Sequence, residues 1–375
     1  MKSHHIIFAI GTALLLTACG HAATQSARTE SDSTLTVKYA TGFEVDYFSH
    51  YKRVTINNPW AAGETLAVYY LTQNDTVQVP TDGVKLTTPL KRLAVTSCTH
   101  YEFLQMLGCL ESVVGVCNPE LAYNATIRSR FAEGKITSLG DAFNTNTECL
   151  LALHPDALML ASYNQQDNNS KRLQASGIPL IYNNEWTEST ALARAEWIKL
   201  VAAFYDQEAL ACQLFDTIEN HYLQAKTLAT NIDHKPTVMA GGNFKGTWYM
   251  PGGRGYMAQL FADAGADYLY KNNEETASLP LSFETVLHQF ANAEVWLNAP
   301  TATMSELLAM DARHGLFAAA KSGEVYGFYA RTLPSGANDF WESGVAHPDL
   351  ILKDLIWALH HINIDGAPSY INKLE

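Results

Sequence analysis

The sequence predicts an α/β fold: two Rossmann-like lobes with mainly parallel sheets, joined by a single long α-helix and preceded by a small β-rich N-terminal extension. Three observations predict it. From Lys91 short apolar strands alternate with helices, between about Thr190 and Thr230 the pattern turns almost wholly helical, and after Pro236 the first plan starts again. Apolar strands linked by helices imply a parallel sheet covered on both faces. A plan that occurs twice around one helical stretch implies two similar lobes and one connector.

The chain starts with Lys2, an apolar run from Ile6 to Leu16, and then Leu16, Thr17, Ala18 and Cys19. The run is too short to span a bilayer and sits where a secretory signal sits. The final quartet resembles a bacterial lipobox, in which the cysteine thiol is acylated after cleavage. Residues 1–18 are therefore expected to be a signal peptide, Cys19 the lipidated residue, and 19–34, which is small and polar, a tether. Roughly 350 residues remain, more than one core usually organises.

Residues 35–90 form the extension: Phe43, Val45 and Tyr47 alternate, as do Val54 with Ile56 and Leu66 with Val68 and Tyr70. The first lobe, 91–188, carries strands at Leu93–Val95, Val113–Val116, Ala157–Leu160 and Ile178–Ile181, with helices between them. Segment 189–230 is helical; Asp206 offers an N-cap for a second piece of some twenty residues, roughly 30 Å long and able to bridge two lobes. The second lobe, 231–375, repeats strand, Ser/Gly/Asn loop and helix, and closes with a helix from Pro348 to His360. In each half a short helix opens with glutamate and runs into a strand: Glu148 precedes Leu150-Leu151 as Glu284 precedes Val286-Leu287.

A net charge of −13 argues against nucleic acid as a partner. No GxSxG elbow, P-loop, GxGxxG or HExxH is present. The histidines are scattered, which favours structural roles for each one. Besides Cys19 there are five cysteines, Cys98, Cys109, Cys117, Cys149 and Cys212, without zinc spacing; free buried thiols are the expectation.

Loops that follow strands are where open α/β sheets bind ligands. In the first lobe they offer Ser97, Thr99, His100, Asp141 and Phe143. In the second they offer Asn243, Phe244, Trp248, Tyr249 and Arg254, then Asn338, Asp339 and Trp341. A loop gains little by exposing Trp and Tyr unless they meet something flat and apolar.

These features resemble the ABC-transporter substrate-binding proteins of the iron-complex and cobalamin class, from about Lys91 to the C-terminus. Carrying the resemblance are Asn146-Thr147-Glu148-Cys149-Leu150-Leu151-Ala152-Leu153-His154-Pro155-Asp156-Ala157, Leu281-Ser282-Phe283-Glu284-Thr285-Val286-Leu287 and Ser176-Gly177-Ile178-Pro179. The extension resembles that of Bacteroidetes members. The resemblance implies that Glu148 and Glu284 dock onto arginines of a membrane permease, and the helix dipole would keep both ionised.

The expected function is therefore capture of a metal chelate (ferric siderophore, haem or cobalamin) and its delivery to an inner-membrane permease with a cytoplasmic ATPase. The protein is expected to be a periplasmic, lipid-anchored monomer with no catalytic residues, no resident metal and no cofactor. Two alternatives stay open at this point. One is a bare-metal receptor using His100 with His288 or His314; the other is a lipid-anchored enzyme or chelatase using His100 and Asp141 as an acid–base pair.

Overall fold

Phe43, Val45, Val54 and Ile56, the alternating apolar residues of the extension, all turn to the buried side of a five-stranded sheet. The computed structural model describes residues 31–163, 168–364 and 368–375. The chain separates into Met1–Ser31 and Asp32–Glu375, and the second unit is the subject here. The leader, Cys19 and the tether up to residue 30 lie outside the described residues.

The extension sheet runs in the order Ser33–Thr34, Phe43–Tyr47, Lys52–Asn57, Thr65–Thr72, Val84–Thr87. Its pairs are antiparallel except the last, which is parallel. Ser33 and Thr34 pair with Tyr47 and Asp46, so the end expected for the tether is already an edge strand. Thr34 Oγ1 also donates to Asp46 at 2.7 Å, which fixes that register.

Two buried carboxylates fasten the extension to the helical segment. Glu196 accepts the backbone N–H groups of Lys38, Tyr39 and Ala40 at 2.8, 2.7 and 2.9 Å. Glu188 accepts those of Thr41 and Gly42, both at 2.9 Å. Five consecutive donors that no strand satisfies are thereby satisfied, as burial demands. Gly42 has no room for a side chain, since a Cβ there would lie 2.3 Å from the Trp197 ring.

The first lobe holds five parallel strands in the order Leu180–Tyr182, Ala157–Leu160, Leu93–Val95, Val113–Val116, Thr137–Ser138. The second holds Asp267–Tyr268, Thr237–Ala240 and Val295–Leu297, also parallel, and a single parallel bridge from Trp296 to Val325 continues that sheet. The second lobe adds a three-stranded antiparallel ribbon, Asn243–Phe244, Thr247–Pro251 and Ser278–Leu281, in a region expected to be loop.

The connector is the helix Glu208–Thr230, 23 residues and therefore roughly 34 Å long. It buries Phe215, Ile218, Tyr222, Ala225 and Ala229, spaced by three or four residues, which is one helical face. Tyr222 donates to Asp263 of the second lobe at 2.7 Å, and Tyr39 of the extension donates to Glu219 at 2.6 Å. Asp206 does not cap this helix. It sits at φ 55° and pairs with Lys52 at 2.6 Å, while Gln207 occupies the N-cap position without a side-chain bond.

Candidate functional site

The ribbon of the second lobe decides which aromatic residues meet solvent. On a strand, successive side chains point to opposite faces. Trp248 is 0 % exposed and packs among Phe283, Trp296, His314 and Phe317, whereas its neighbour Tyr249 is 45 % exposed. Trp248 Nε1 donates to the Ala240 carbonyl at 2.9 Å, which ties the ribbon to the parallel sheet. The expectation that Trp248 contacts a ligand is thus corrected: with strand alternation, one of the pair builds the core and the other the site.

Tyr249 opens onto a pocket of about 590 Å³, whose aromatic and sulfur-bearing walls are Phe244, Tyr249, Tyr256, Met257, Met310 and Trp341. Its polar lining is neutral: Asn243, Thr276, Ser278 and Asn298, with no charged side chain. The size and the balance of walls are those of a small-molecule site. Gly241 makes the approach possible; it sits at φ 74°, and a Cβ would lie 2.2 Å from the Tyr249 carbonyl oxygen.

In the first lobe, three rings stand on segments that follow strands. Phe143 packs tilted against Tyr163 with centroids 4.9 Å apart, and Tyr163 stacks on Trp186 at 5.7 Å. Trp186 is fixed by donating to the Ser162 carbonyl at 3.2 Å. Phe143 is the outermost at 67 % exposure. Tyr163, Trp186, Tyr256 and Met310 did not stand out in the sequence, although a lone aromatic directly after a strand was the available signal.

Several expected ligand contacts prove structural. His100 is fully buried, with Nε2 at 3.2 Å from the Asn183 carbonyl oxygen and 3.8 Å from Glu185. Glu185 in turn pairs with Arg194 at 3.3 Å; burial pushes its pKa up, but the His100 bond and the Arg194 charge outweigh that and hold it below the usual range. Asn338 donates to the Phe328 carbonyl and accepts from Phe340 N–H, as a capping residue does. Asp339 is buried against Arg331 at 3.0 Å. Short side chains with local backbone partners form loops before they can reach a ligand.

Among the remaining expected residues, Ser97 and Thr99 bond each other at 2.9 Å, and Thr99 lines a small cavity beside Trp341 and Arg194. Asp141 is exposed and accepts the Phe143 N–H at 2.8 Å, so it shapes the hairpin that presents the ring. Arg254 is exposed and paired with Glu274 at 3.0 Å. Asn243, Phe244, Tyr249 and Trp341 are the expected residues that the pocket gathers. His314 is buried, its Nδ1 donating to the Leu307 carbonyl at 2.8 Å, whereas His288 lies on an exposed helix face, so neither joins His100. Among the described residues no three His, Cys, Asp or Glu side chains group for a metal ion.

The lobes meet along a polar seam. Glu342, next to Trp341, accepts Tyr123 N–H at 2.7 Å and Asn124 N–H at 2.6 Å from the first lobe. Burial outweighs these two bonds and pushes the Glu342 carboxyl up to about 7. His347 bonds Glu102 at 3.0 Å, the Arg194 guanidinium lies 4.4 Å from the centre of the Tyr256 ring, and the Cys98 thiol reaches the Trp341 carbonyl at 3.8 Å.

Glu148 and Glu284 occupy the same place in their lobes. Each is the second residue of its helix, Thr147–Leu153 and Phe283–Phe290, and each follows a side-chain cap at 3.1 Å, Asn146 to Cys149 N–H and Ser282 to Thr285 N–H. Both are exposed. Glu284 lies 3.4 Å from Arg313, which also grips Asp311 at 2.7 Å and covers the Phe283 ring; Glu148 has no ion pair among the described residues.

The periplasmic binding protein family model matches residues 93–332, spanning both lobes and the connecting helix. The chain belongs to the periplasmic binding protein family. Its family portion begins where the extension ends. Two lipoproteins of Methanocaldococcus jannaschii, both uncharacterized, are similar: one is 26 % identical over 75 % of this chain and 68 % of its own length, the other 24 % over 65 % of each. Solved structures share the fold. A periplasmic heme binding protein from Pseudomonas aeruginosa superposes with TM-score 0.58 at 16 % identity, covering 76 % of this chain and 98 % of its own. A possible iron-binding periplasmic solute-binding protein from Staphylococcus epidermidis gives 0.54 at 18 %, covering 72 % and 99 %. Among the described residues of this periplasmic binding protein, no helix is long and apolar enough to cross a membrane.

Proposed function

We propose that this periplasmic binding protein captures a metal chelate, a ferric siderophore, haem or cobalamin, and hands it to an inner-membrane ABC permease powered by a cytoplasmic ATPase. Lipid on Cys19 would hold the monomer at the membrane. The observation that carries the importer reading is the pair of exposed glutamates, each the second residue of an equivalently capped helix in its own lobe. Two charges fixed one per lobe give a permease two anchor points whose separation reports the state of the lobes. Ion pairs at such a wet rim steer and orient docking more than they add affinity.

The neutral aromatic pocket supports an organic-shelled ligand over a bare ion, since a bare cation needs several oxygen, nitrogen or sulfur ligands from side chains. Phe244, Tyr249 and Trp341 would pack on the shell and Asn243 would bond its periphery. Similarity to heme and iron-binding proteins points the same way.

The test is the double variant Glu148→Ala with Glu284→Ala. Cells carrying it should lose uptake while the purified protein keeps its fold and its chelate affinity. Uptake that survives in the double variant removes the docking role.

A further inference from the structure

The extension lies outside the residues that the family model matches, yet it places two ammonium groups and a phenol on the link between the lobes. That link contains a break. The helix Ile198–Ala203 ends, four residues follow, and the connector Glu208–Thr230 begins. Asp206, within the break, takes φ 55°, a left-handed conformation that a residue other than glycine seldom holds without support.

Lys52 of the extension supplies the support. On the strand Lys52–Asn57 the alternation turns Lys52, Val54 and Ile56 inward, whereas Arg53 turns to the other face and pairs with Asp46 of its own sheet at 2.7 Å. The Lys52 ammonium donates to the Ala203 carbonyl at 3.0 Å and meets Asp206 at 2.6 Å and Glu208 at 2.5 Å. One largely buried cation therefore bonds the end of the first helix, the break, and the first residue of the connector. Leu90 N–H adds a bond to the Phe204 carbonyl at 3.0 Å, and the Thr88 hydroxyl one to Asp206 at 3.2 Å.

The grip continues along the connector. Lys38 reaches Asp216 at 3.1 Å and Glu219 at 2.5 Å, and the Tyr39 hydroxyl donates to Glu219 at 2.6 Å. From Glu208 to Glu219 the helix makes about three turns, roughly 16 Å. Beyond that point the second lobe takes hold: Asp263 pairs with Tyr222 at 2.7 Å and with Lys226 at 2.9 Å. The extension itself is fixed to the first lobe, where the Tyr69 hydroxyl accepts Tyr182 N–H at 3.0 Å. Charge-assisted bonds are the stronger kind, and without Lys52 the Asp206 and Glu208 carboxylates would be left facing each other.

We infer that the 35–90 extension is a clamp on the elbow between the lobes: by pinning residues 203–219 to the first lobe it restricts the swing of the second. Any change in lobe spacing is then confined to the connector beyond Glu219 and to the seam. This inference concerns the ligand-free chain and stands apart from the chelate and docking readings.

The test is hydrogen–deuterium exchange of the full chain without ligand, in Lys52→Met and in Lys52→Met with Lys38→Met. Methionine keeps an apolar stem and removes the charge. Amides of residues 203–212 should exchange about tenfold faster in the single variant, as expected for one lost charge-assisted bond. In the double variant Tyr123 and Asn124, whose N–H groups Glu342 holds across the seam, should follow. The strand Leu93–Val95 should keep its rate. Lys52→Arg should retain the protection, and Arg53→Ala, which disturbs the same sheet on its outer face, should leave elbow and seam as they are. Faster exchange at the elbow with an unchanged seam means that the extension fastens only itself. A uniform rise that includes Leu93–Val95 means that it serves overall stability. Either result overturns the clamp, as does a seam that loosens equally in Arg53→Ala.

Discussion

The first lobe and the second lobe share a plan and differ at their ligand edge. The first is a five-stranded parallel sheet; the second has three parallel strands and spends the residues after the first of them on an antiparallel ribbon. The 590 Å³ pocket belongs to the lobe with the ribbon. Duplication thus supplies the frame and the two matched glutamates, while departure from the repeat supplies the cavity. The glutamates diverge too, since Glu284 shares Arg313 and Glu148 stands apart.

The sharpest test of the ribbon is the pair Trp248 and Tyr249. Trp248→Ala empties an aromatic core and should cost about 3–5 kcal/mol in urea unfolding, whereas Tyr249→Ala should cost under about 1 kcal/mol and act on ligand affinity instead. Equal losses would mean that the ribbon does not alternate as described.

The seam between the lobes gives a pH test. The Glu342 carboxyl titrates near 7 in the folded state against 4.5 ordinarily, so the native state holds this proton longer than the unfolded chain. Its contribution is complete below pH 4.5 and is lost as pH rises through 7, on the order of 3 kcal/mol in all. Glu342→Gln imitates the protonated group, so unfolding measured from pH 4 to 8 should fall less steeply in the variant. Parallel curves would remove Glu342 from the seam's energetics.

The first loop residues of the two lobes differ for the same reason as the lobes do. Gly241→Ala should cost about 1–3 kcal/mol, because the ribbon's Tyr249 carbonyl occupies the space of a Cβ. Ser97→Ala, with only a local turn to lose, should cost about 0.5–1 kcal/mol. The smallest expected effect concerns docking: Glu148→Ala should reduce uptake a few-fold more than Glu284→Ala, since Glu284 must first leave Arg313. Arg313→Ala should narrow that gap; if it does not, the ion pair has no bearing on docking.

Much of the frame was legible because it follows local rules. Apolar strands broken by Gly and Pro located the parallel sheets, and the closing helix Pro348–His360 matches its expected ends, with Pro at its start and a left-handed residue, His361, after it. The glutamates were legible because a helix start is a short-range signal written twice. The ribbon was not, since Gly241-Gly242-Asn243 reads as loop and the full length of Thr247–Pro251 is paired by a strand far along the chain, Ser278–Leu281. Ring exposure on that ribbon then followed from a pairing that spacing could not reveal.

The sequence by itself determined the two-lobed α/β plan, the long connecting helix, the positions of Glu148 and Glu284, and the aromatic and amide character of the cleft. Only the tertiary structure decided which of those side chains reach it. His100, Trp248, Asn338 and Asp339 satisfy their own lobes, while Phe143, Tyr163, Trp186 and Tyr249 are left facing outward. The reason is that residue type and spacing are local properties, whereas burial depends on what long-range packing places above each side chain.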